Sequence, residues 1–424
     1  MQNFKKLNQS LLTEVSFEDS LQLFAVCAQI VKTDLTQTKN ILDLPQSEIV
    51  NYIGEYVYHN QMQWFNLHIP KIAQVFLREI FFFFMEMKNE IDDEHSYGME
   101  VLNLLQELLF THTNYKSSEY MASKNIVNLF KDIVEDASDK VLYDGACGLG
   151  TIAQSLGAKK NILRDINART LGLAETLFSF TEQDVSFALQ NTLQNDEQSH
   201  QVDIVICTPP FGVRVSEILV EHNAYLKQFF IKARIPSSGS DSLWIQQALY
   251  QLNDTGKAYL VLSTGWLFRG GYDALLREQL IERDLVESVI LLPAGMWNSM
   301  NIETCVLILN KSKQMKGIRM LDARGFGQRK AARLTFTTDD SAQIKCLMLG
   351  LKEDETISKL VSIQEVKEKN YSLHCAEYFT AAINIEEVDL QHELQILKDV
   401  QQQYHKAQER FNALVKTTTR TENT

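Results

Sequence analysis

Lys140-Val141-Leu142-Tyr143-Asp144-Gly145-Ala146-Cys147-Gly148-Leu149-Gly150-Thr151 decides the fold of this chain. Its first five residues are an apolar run closed by an acid, which reads as a strand. The next seven are a glycine-rich turn into a helix. Glycine lets the backbone pass close to a ligand, and a helix start offers free N–H groups. Asn161-Ile162-Leu163-Arg164-Asp165-Ile166-Asn167 follows as a second short strand. Its Asp165 stands about twenty residues past the start of the glycine turn, where dinucleotide folds place a carboxylate on ribose hydroxyls.

A third element lies further on. The apolar run Val202-Asp203-Ile204-Val205-Ile206-Cys207 leads directly into Thr208-Pro209-Pro210-Phe211. The chain has six prolines, and two stand side by side here. Two consecutive prolines continue neither a ladder nor a helix, so the chain turns stiffly at the strand's carboxyl end. In α/β sheets that edge is where ligands bind. Phe211 then stands over the site as a flat apolar plate. A rigid polar group beside an aromatic plate suits an enzyme that holds a planar, amine-bearing ring.

The pattern around these blocks is an alternation of strands and helices. Strands are expected at Val141 to Asp144, Ile162 to Ile166, Val185 to Leu189, Val202 to Cys207, Ala258 to Ser263, Val286 to Leu292 and Cys305 to Leu309. Helices are expected at Thr151 to Leu156, Ala168 to Phe180, Ser242 to Leu252 and Tyr272 to Arg283. This alternation predicts a mostly parallel sheet covered on both faces. The last two strands are joined by about a dozen residues without a helix, so they should be antiparallel. Upstream, residues from about 15 to 110 read as helical, with Ser16 capping an amphipathic stretch from Phe17 through Val31. Downstream, Val388 to Val415 reads as a long polar helix with a stripe of Leu390, Leu394, Leu397 and Val400. The domain boundaries read from this pattern are 1–115 (helical), 116–315 (α/β), 316–385 (a mixed extension) and 386–424 (a helix and a disordered tail).

Composition narrows the class. The 424 residues suffice for more than one domain and a large core. Lys and Arg number 41 against 54 Asp and Glu, for a net charge of −13. So acidic a chain does not hold a nucleic-acid backbone strongly by overall charge, because that affinity comes from Lys and Arg displacing counterions. A local basic groove or a basic partner must supply it. Six cysteines form no Cys-x-x-Cys pair and sit mostly in apolar runs, as buried thiols in a reducing compartment would. The nine histidines show no ligand spacing, and no metal site is expected. No signal peptide is legible at the amino terminus, and Ile80-Phe81-Phe82-Phe83-Phe84-Met85 is too short to span a bilayer. It reads as helix core, and the chain as cytoplasmic, with no membrane partner.

These residues resemble the gamma-type DNA adenine-N6 methyltransferases, most closely the methylation subunit of type I restriction–modification systems. The resemblance runs from about Ser118 to Leu309, with a looser echo to about Phe379. Asp144-Gly145-Ala146-Cys147-Gly148-Leu149-Gly150 is similar to that family's Asp-Pro-Ala-Cys-Gly-x-Gly. Asp165-Ile166-Asn167 resembles its Glu-Ile-Asn, Asn191-Thr192-Leu193 its Asp-Thr-Leu, and Thr208-Pro209-Pro210-Phe211-Gly212 its Asn-Pro-Pro-Phe-Gly. Leu267-Phe268-Arg269-Gly270-Gly271, Leu291-Leu292-Pro293-Ala294-Gly295 and Ile302-x-Thr304 complete the match.

The resemblance implies a seven-stranded, Rossmann-like methyltransferase sheet with an N-terminal helical domain and a C-terminal helix. It implies S-adenosylmethionine as cofactor, contacted by Glu119, Asp144, Gly145, Ala146, Cys147, Gly148 and Gly150, with Asp165 on the ribose and Asn191 near the cofactor's adenine. Thr208, Pro209, Pro210 and Phe211 would hold a flipped adenine. DNA, a separate specificity subunit and a restriction subunit are the implied partners.

The chain departs from the family at several contact points. Thr208 stands where the family has Asn, Asp or Ser. Ser118-Glu119-Tyr120-Met121-Ala122-Ser123 replaces a block ending in Thr-Pro. Gly145 replaces a proline, which should loosen the cofactor loop. Two further readings therefore stand beside the first: a catalytically impaired scaffold that assembles a complex, and a methyltransferase acting on RNA or on a protein glutamine.

Overall fold

The computed structural model describes residues 2–33, 35–60, 62, 69, 73–111, 121–195, 198–236, 239–297, 302–330, 333–379 and 390–418. They divide into two compact units, Met1–Phe379 and Thr380–Thr424.

Among the described residues the first unit opens with six α-helices: α1 (Gln2–Leu11), α2 (Phe17–Thr33), α3 (Leu35–Ile41), α4 (Gln46–His59), α5 (Leu77–Glu90) and α6 (Glu94–Thr111). The Ser16 hydroxyl accepts from the Asp19 N–H at 3.2 Å and so begins α2, as the sequence suggests. The rest of α2 differs from an amphipathic surface helix. Ser20 through Val31 is buried without a break, because α5, α6 and a later helix enclose it on all sides. In α5 Phe81 and Phe84 are fully buried, and Phe84 packs against Phe4 and Phe24.

The sheet follows α7 (Lys124–Ile133). Its strands are β1 (Val141–Asp144), β2 (Lys160–Asp165), β3 (Asp184–Leu189), β4 (Val202–Cys207), β5 (Leu252–Ser263), β6 (Val286–Leu291), β7 (Thr304–Asn310) and β8 (Ile318–Asp322). After a small ribbon of β9 (Gln328–Lys330) and β10 (Arg333–Thr335) comes β11 (Ser358–Val361), which returns to the main sheet. The order is β11-β8-β6-β7-β5-β4-β1-β2-β3. β7 runs antiparallel to both β5 and β6, as the short connection requires.

The sheet thus has nine strands where seven are expected. The expected seven are present, and β8 and β11 extend them beyond β6. Both are short, at five and four residues, and their apolar positions are too few to stand out from the mixed composition around them. β5 also begins earlier than its apolar run, at Leu252.

Helices cover both faces. α10 (Asp241–Gln251), α11 (Tyr272–Glu282) and α13 (Ile363–Glu368) share one core with Val205, Leu260, Leu291 and Leu307. α7, α8 (Thr151–Leu156) and α12 (Thr338–Met348) share the other with Leu142, Ile206, Val261 and Ile308. α9 (Ala168–Phe178) serves two layers: Leu171 and Phe178 face the sheet, while Leu173 and Leu177 join the core of the N-terminal helices. Gln29 of α2 reinforces that junction, its amide donating to the Ser179 carbonyl at 2.9 Å. All six cysteines are free thiols, and all but Cys346 are buried.

The second unit is α14 (Leu390–Thr418), on which Leu394, Leu397, Val400, Tyr404 and Phe411 are exposed.

Candidate active site

β3, β2, β1 and β4 are neighbours, and their carboxyl ends carry the residues that the sequence singles out. Asp144 closes β1 and pairs with Ile206 of β4. Continuing that register by two residues sets Ala146 level with Thr208. The glycine turn and the double-proline turn therefore leave adjacent strands side by side.

The glycine turn is tied down from three directions. The Cys147 N–H donates to the Arg164 carbonyl at 3.0 Å. Asp165 Oδ2 accepts from the Gly148 N–H at 2.8 Å, while its Oδ1 accepts from the Asn167 N–H at 2.8 Å. The Thr192 hydroxyl donates to the Gly145 carbonyl at 2.6 Å. Gly150 enters α8 with φ of +66°, and a Cβ there would lie 2.8 Å from the Phe178 ring. Only glycine meets both conditions.

Asp144 is 2% exposed and accepts from the Ala146 N–H at 3.0 Å. Burial pushes its carboxyl up to about 7; the Ala146 N–H opposes the rise, and the neighbouring Asp165 adds to it. A buried acid poised there gains from a cationic ligand. Asn191 follows β3, half-buried, its carbonyl accepting from the Gln194 and Asn195 N–H groups.

At the double-proline turn Pro209 is buried, Pro210 exposed, and Thr208 and Phe211 half-buried. The Phe211 ring meets the Trp297 indole edge-on, with centroids 5.7 Å apart and planes at 81°. Trp297 is 6% exposed, and its Nε1 is buried without an acceptor among the described residues. The sequence reading stopped two residues short of it, at Gly295. The signal was present: an indole just past a strand end that shares an edge with the glycine turn. Ser123, read from the sequence only as a departure from the family's Thr-Pro, has a role not foreseen there. It caps α7, accepting from the Ile126 N–H, and its hydroxyl donates to the Met296 carbonyl beside Trp297. Ala122 packs on the same core as Phe211 and Trp297. Glu119 lies outside the described residues.

The arc thus brings together Asp144, the turn from Gly145 to Gly150, Asp165, Asn191 and Thr208 through Phe211. A surface cavity of about 580 Å³, lined by Asp322, Arg324, Gly325, Phe326 and Ile357, belongs instead to the added strands. Among the described residues no helix is long and apolar enough to cross a membrane.

Comparison with known proteins agrees with this architecture. A methylase subunit of the type I restriction enzyme MjaVII from Methanocaldococcus jannaschii is 25% identical over 319 residues, covering 69% of this chain and 54% of the relative. The MpnII methylase subunit from Mycoplasma pneumoniae is 24% identical, covering 72% of this chain and 60% of the relative. The chain thus spans little more than half the length of these relatives. Among solved structures, the type I restriction–modification methyltransferase subunit from Streptococcus thermophilus superposes with a TM-score of 0.63 at 19% identity, covering 74% of this chain and 72% of that one. A chain from a solved type I R-M system superposes with a TM-score of 0.66 at 16% identity, covering 98% of each. Residues 103–387 match the N-6 DNA methylase family, and this chain belongs to it.

Proposed function

We propose that this protein transfers a methyl group from S-adenosylmethionine to the exocyclic amine of an adenine in DNA, as the modification subunit of a restriction or related defence system. The observation that carries the reading is the shared arc: a glycine turn and a double-proline turn at adjacent strand ends, with the buried acid Asp144 at the start of the first.

The residues present fit the cofactor. Ala146 is the one partly exposed residue of an otherwise buried glycine turn, and each Asp165 oxygen accepts one backbone N–H and keeps acceptor capacity for hydroxyls. Asp144 suits the cationic methionine end, Asn191 the adenine end, and Glu119 is placed with the methionine clasp by family likeness. S-adenosylmethionine, when bound, supplies an electrophilic methyl on a sulfonium. The chain's part is to hold the amine. The Thr208 hydroxyl and the Pro209 carbonyl accept its two N–H bonds, which leaves the nitrogen lone pair directed away from both acceptors. Phe211 stacks on the base, and Trp297 stands edge-on behind that ring. Orientation and electrostatics then lower the barrier.

DNA is the substrate in this reading, and another polypeptide selects the sequence. With a net charge of −13, the chain leaves most of the phosphate contact to that partner. The exposed apolar residues of α14 suit a helix of the specificity subunit, with a restriction subunit joining the same assembly.

The test is methyl incorporation from radiolabelled cofactor into unmethylated DNA, by the chain alone and with any specificity polypeptide encoded beside it. Incorporation that vanishes in Phe211→Ala supports the reading. A wild-type chain that binds cofactor and transfers nothing in either setting would favour the second reading, an impaired scaffold, which Thr208 motivates.

A further inference from the structure

Arg269 can be read from the sequence either as a nucleic-acid contact or as a solvated loop residue. The structure gives it another partner set. It stands between the end of β5 and the start of α11, with Nη1 2.9 Å from Asp273 Oδ2 and 3.6 Å from Asp241 Oδ2. Both carboxylates are buried, their side chains 1% and 11% exposed. The other Asp273 oxygen accepts from the Ser242 hydroxyl at 2.6 Å, and that hydroxyl accepts from the Trp266 indole N–H at 2.9 Å. Asp241 Oδ2 also accepts from the Ser263 hydroxyl at 2.9 Å. Arg277 fixes the backbone from below, donating to the Trp266 and Arg269 carbonyls at 2.7 and 3.0 Å. One guanidinium thus joins the end of β5 to the first turns of α10 and α11.

The place of this cluster matters. Cys207 pairs with Leu260 at the end of β4, and β5 runs on for three residues past that pair to Ser263, which Asp241 holds. Burial raises the Cys207 thiol, and Asp144 and Asp241 both add to the rise. Two buried carboxylates repel each other, and removing Arg269 leaves Asp241 uncompensated, while Asp273 keeps the nearby Arg277. The first turn of α10 then shifts, and the wall beside Thr208 shifts with it.

We propose that Arg269 is a positioning residue for methyl transfer: by pairing with Asp241 and Asp273 it locks the first turns of α10 and α11 together and holds the double-proline turn in register with the glycine turn. The inference rests on the methyltransferase reading above.

The test compares Arg269→Met and Arg269→Lys with wild type in the complex that methylates DNA. Arg269→Met keeps the apolar stem and should lower kcat about 10- to 100-fold, with cofactor Kd and the KM for DNA nearly unchanged. Arg269→Lys should restore most of that loss. Arg269→Met combined with Asp241→Asn should also recover activity, since the uncompensated charge is removed. Hydrogen exchange on the same variants reads the turn without needing activity: amides of residues 205–215 and 239–245 should exchange faster in Arg269→Met alone. Unchanged exchange there, or parallel losses in thermal stability and cofactor affinity with no separate effect on kcat, would overturn the proposal. A weaker DNA Kd with a salt slope reduced by about one, at unchanged kcat, would instead make Arg269 a phosphate contact. A wild-type complex that transfers nothing would sink the methyltransferase reading, and the exchange data would still decide the positioning role.

Discussion

The Thr192 methyl group occupies the space that a side chain at Gly145 would need. A Cβ on Gly145 would lie 2.8 Å from Thr192 Cγ2, while the Thr192 hydroxyl donates to the Gly145 carbonyl at 2.6 Å. The loosening expected of a glycine at this position is thus offset by a direct tether from the neighbouring turn. Gly145→Ala should cost about 1–3 kcal/mol of stability, as overpacked positions do, and weaken cofactor binding. Adding Thr192→Ser removes the methyl, keeps the hydroxyl, and should recover part of both losses, since the buried Tyr143 ring remains 3.1 Å from that Cβ. Urea unfolding and calorimetric titration with cofactor would show it; a Gly145→Ala variant as stable as wild type would contradict the packing argument.

Asp144 predicts a pH signature with a definite sign. Its carboxyl is raised to about 7 in the folded chain, above its ordinary range, so the folded state keeps a proton that the unfolded state releases. The ligand-free protein should therefore lose stability as pH rises from about 4 to 7. Asp144→Asn should be more stable than wild type at pH 8, by an amount of the order of a few kcal/mol, and the gap should close near pH 4. Cofactor affinity should move the other way in wild type, rising to about pH 7 with proton release on binding, because a cation favours the ionised acid. Equal affinity at pH 5.5 and 8 would argue against a cationic group beside Asp144.

Thr208 offers a gain-of-function test. Its hydroxyl is a single acceptor on a β-branched side chain, whereas an asparagine carbonyl reaches further and accepts more strongly. Thr208→Asn should raise kcat, by about tenfold or more if the lost acceptor resembles other preorganised groups at reacting centres, and leave cofactor Kd alone. Single-turnover methylation separates the two. A drop in rate would mean that the turn is built around the threonine.

Trp297 should act through Phe211. Trp297→Phe preserves an edge-on ring and should retain most activity, while Trp297→Ala removes the support and should lower kcat about 10- to 100-fold. Phe/Trp→Ala changes in cores also cost about 3–5 kcal/mol, so thermal unfolding must accompany the kinetics. The buried indole N–H, without an acceptor among the described residues, adds a second expectation: Trp297→Phe should be neutral or slightly stabilising in the free protein, because it removes an unsatisfied donor.

The parts of this protein that were legible in the sequence are those where one residue type has one structural use. Pro209 and Pro210 had to end a strand, the glycines after β1 had to make a turn into a helix, and the apolar runs of β1, β4 and β7 had to be buried. The strand order beyond β6 was not legible, because five residues of β8 and four of β11 carry too little periodicity to identify a neighbour. α2 was misread as amphipathic because its second cover, α9, lies more than a hundred residues away. Trp297, and the bond that Ser123 makes, escaped for a related reason. Their partners, Phe211 and the Met296 carbonyl, come from distant segments, and only the sheet brings them together.

The two extra strands also change what a neighbouring copy would meet. With β8 paired to one side, β6 is interior, and the border of the sheet passes to four residues of β11, where Lys359 is bound to Glu365. A short border with a charged side chain is a poor template for strand addition by another molecule. This border of the sheet is thereby protected from edge-to-edge pairing with a second copy.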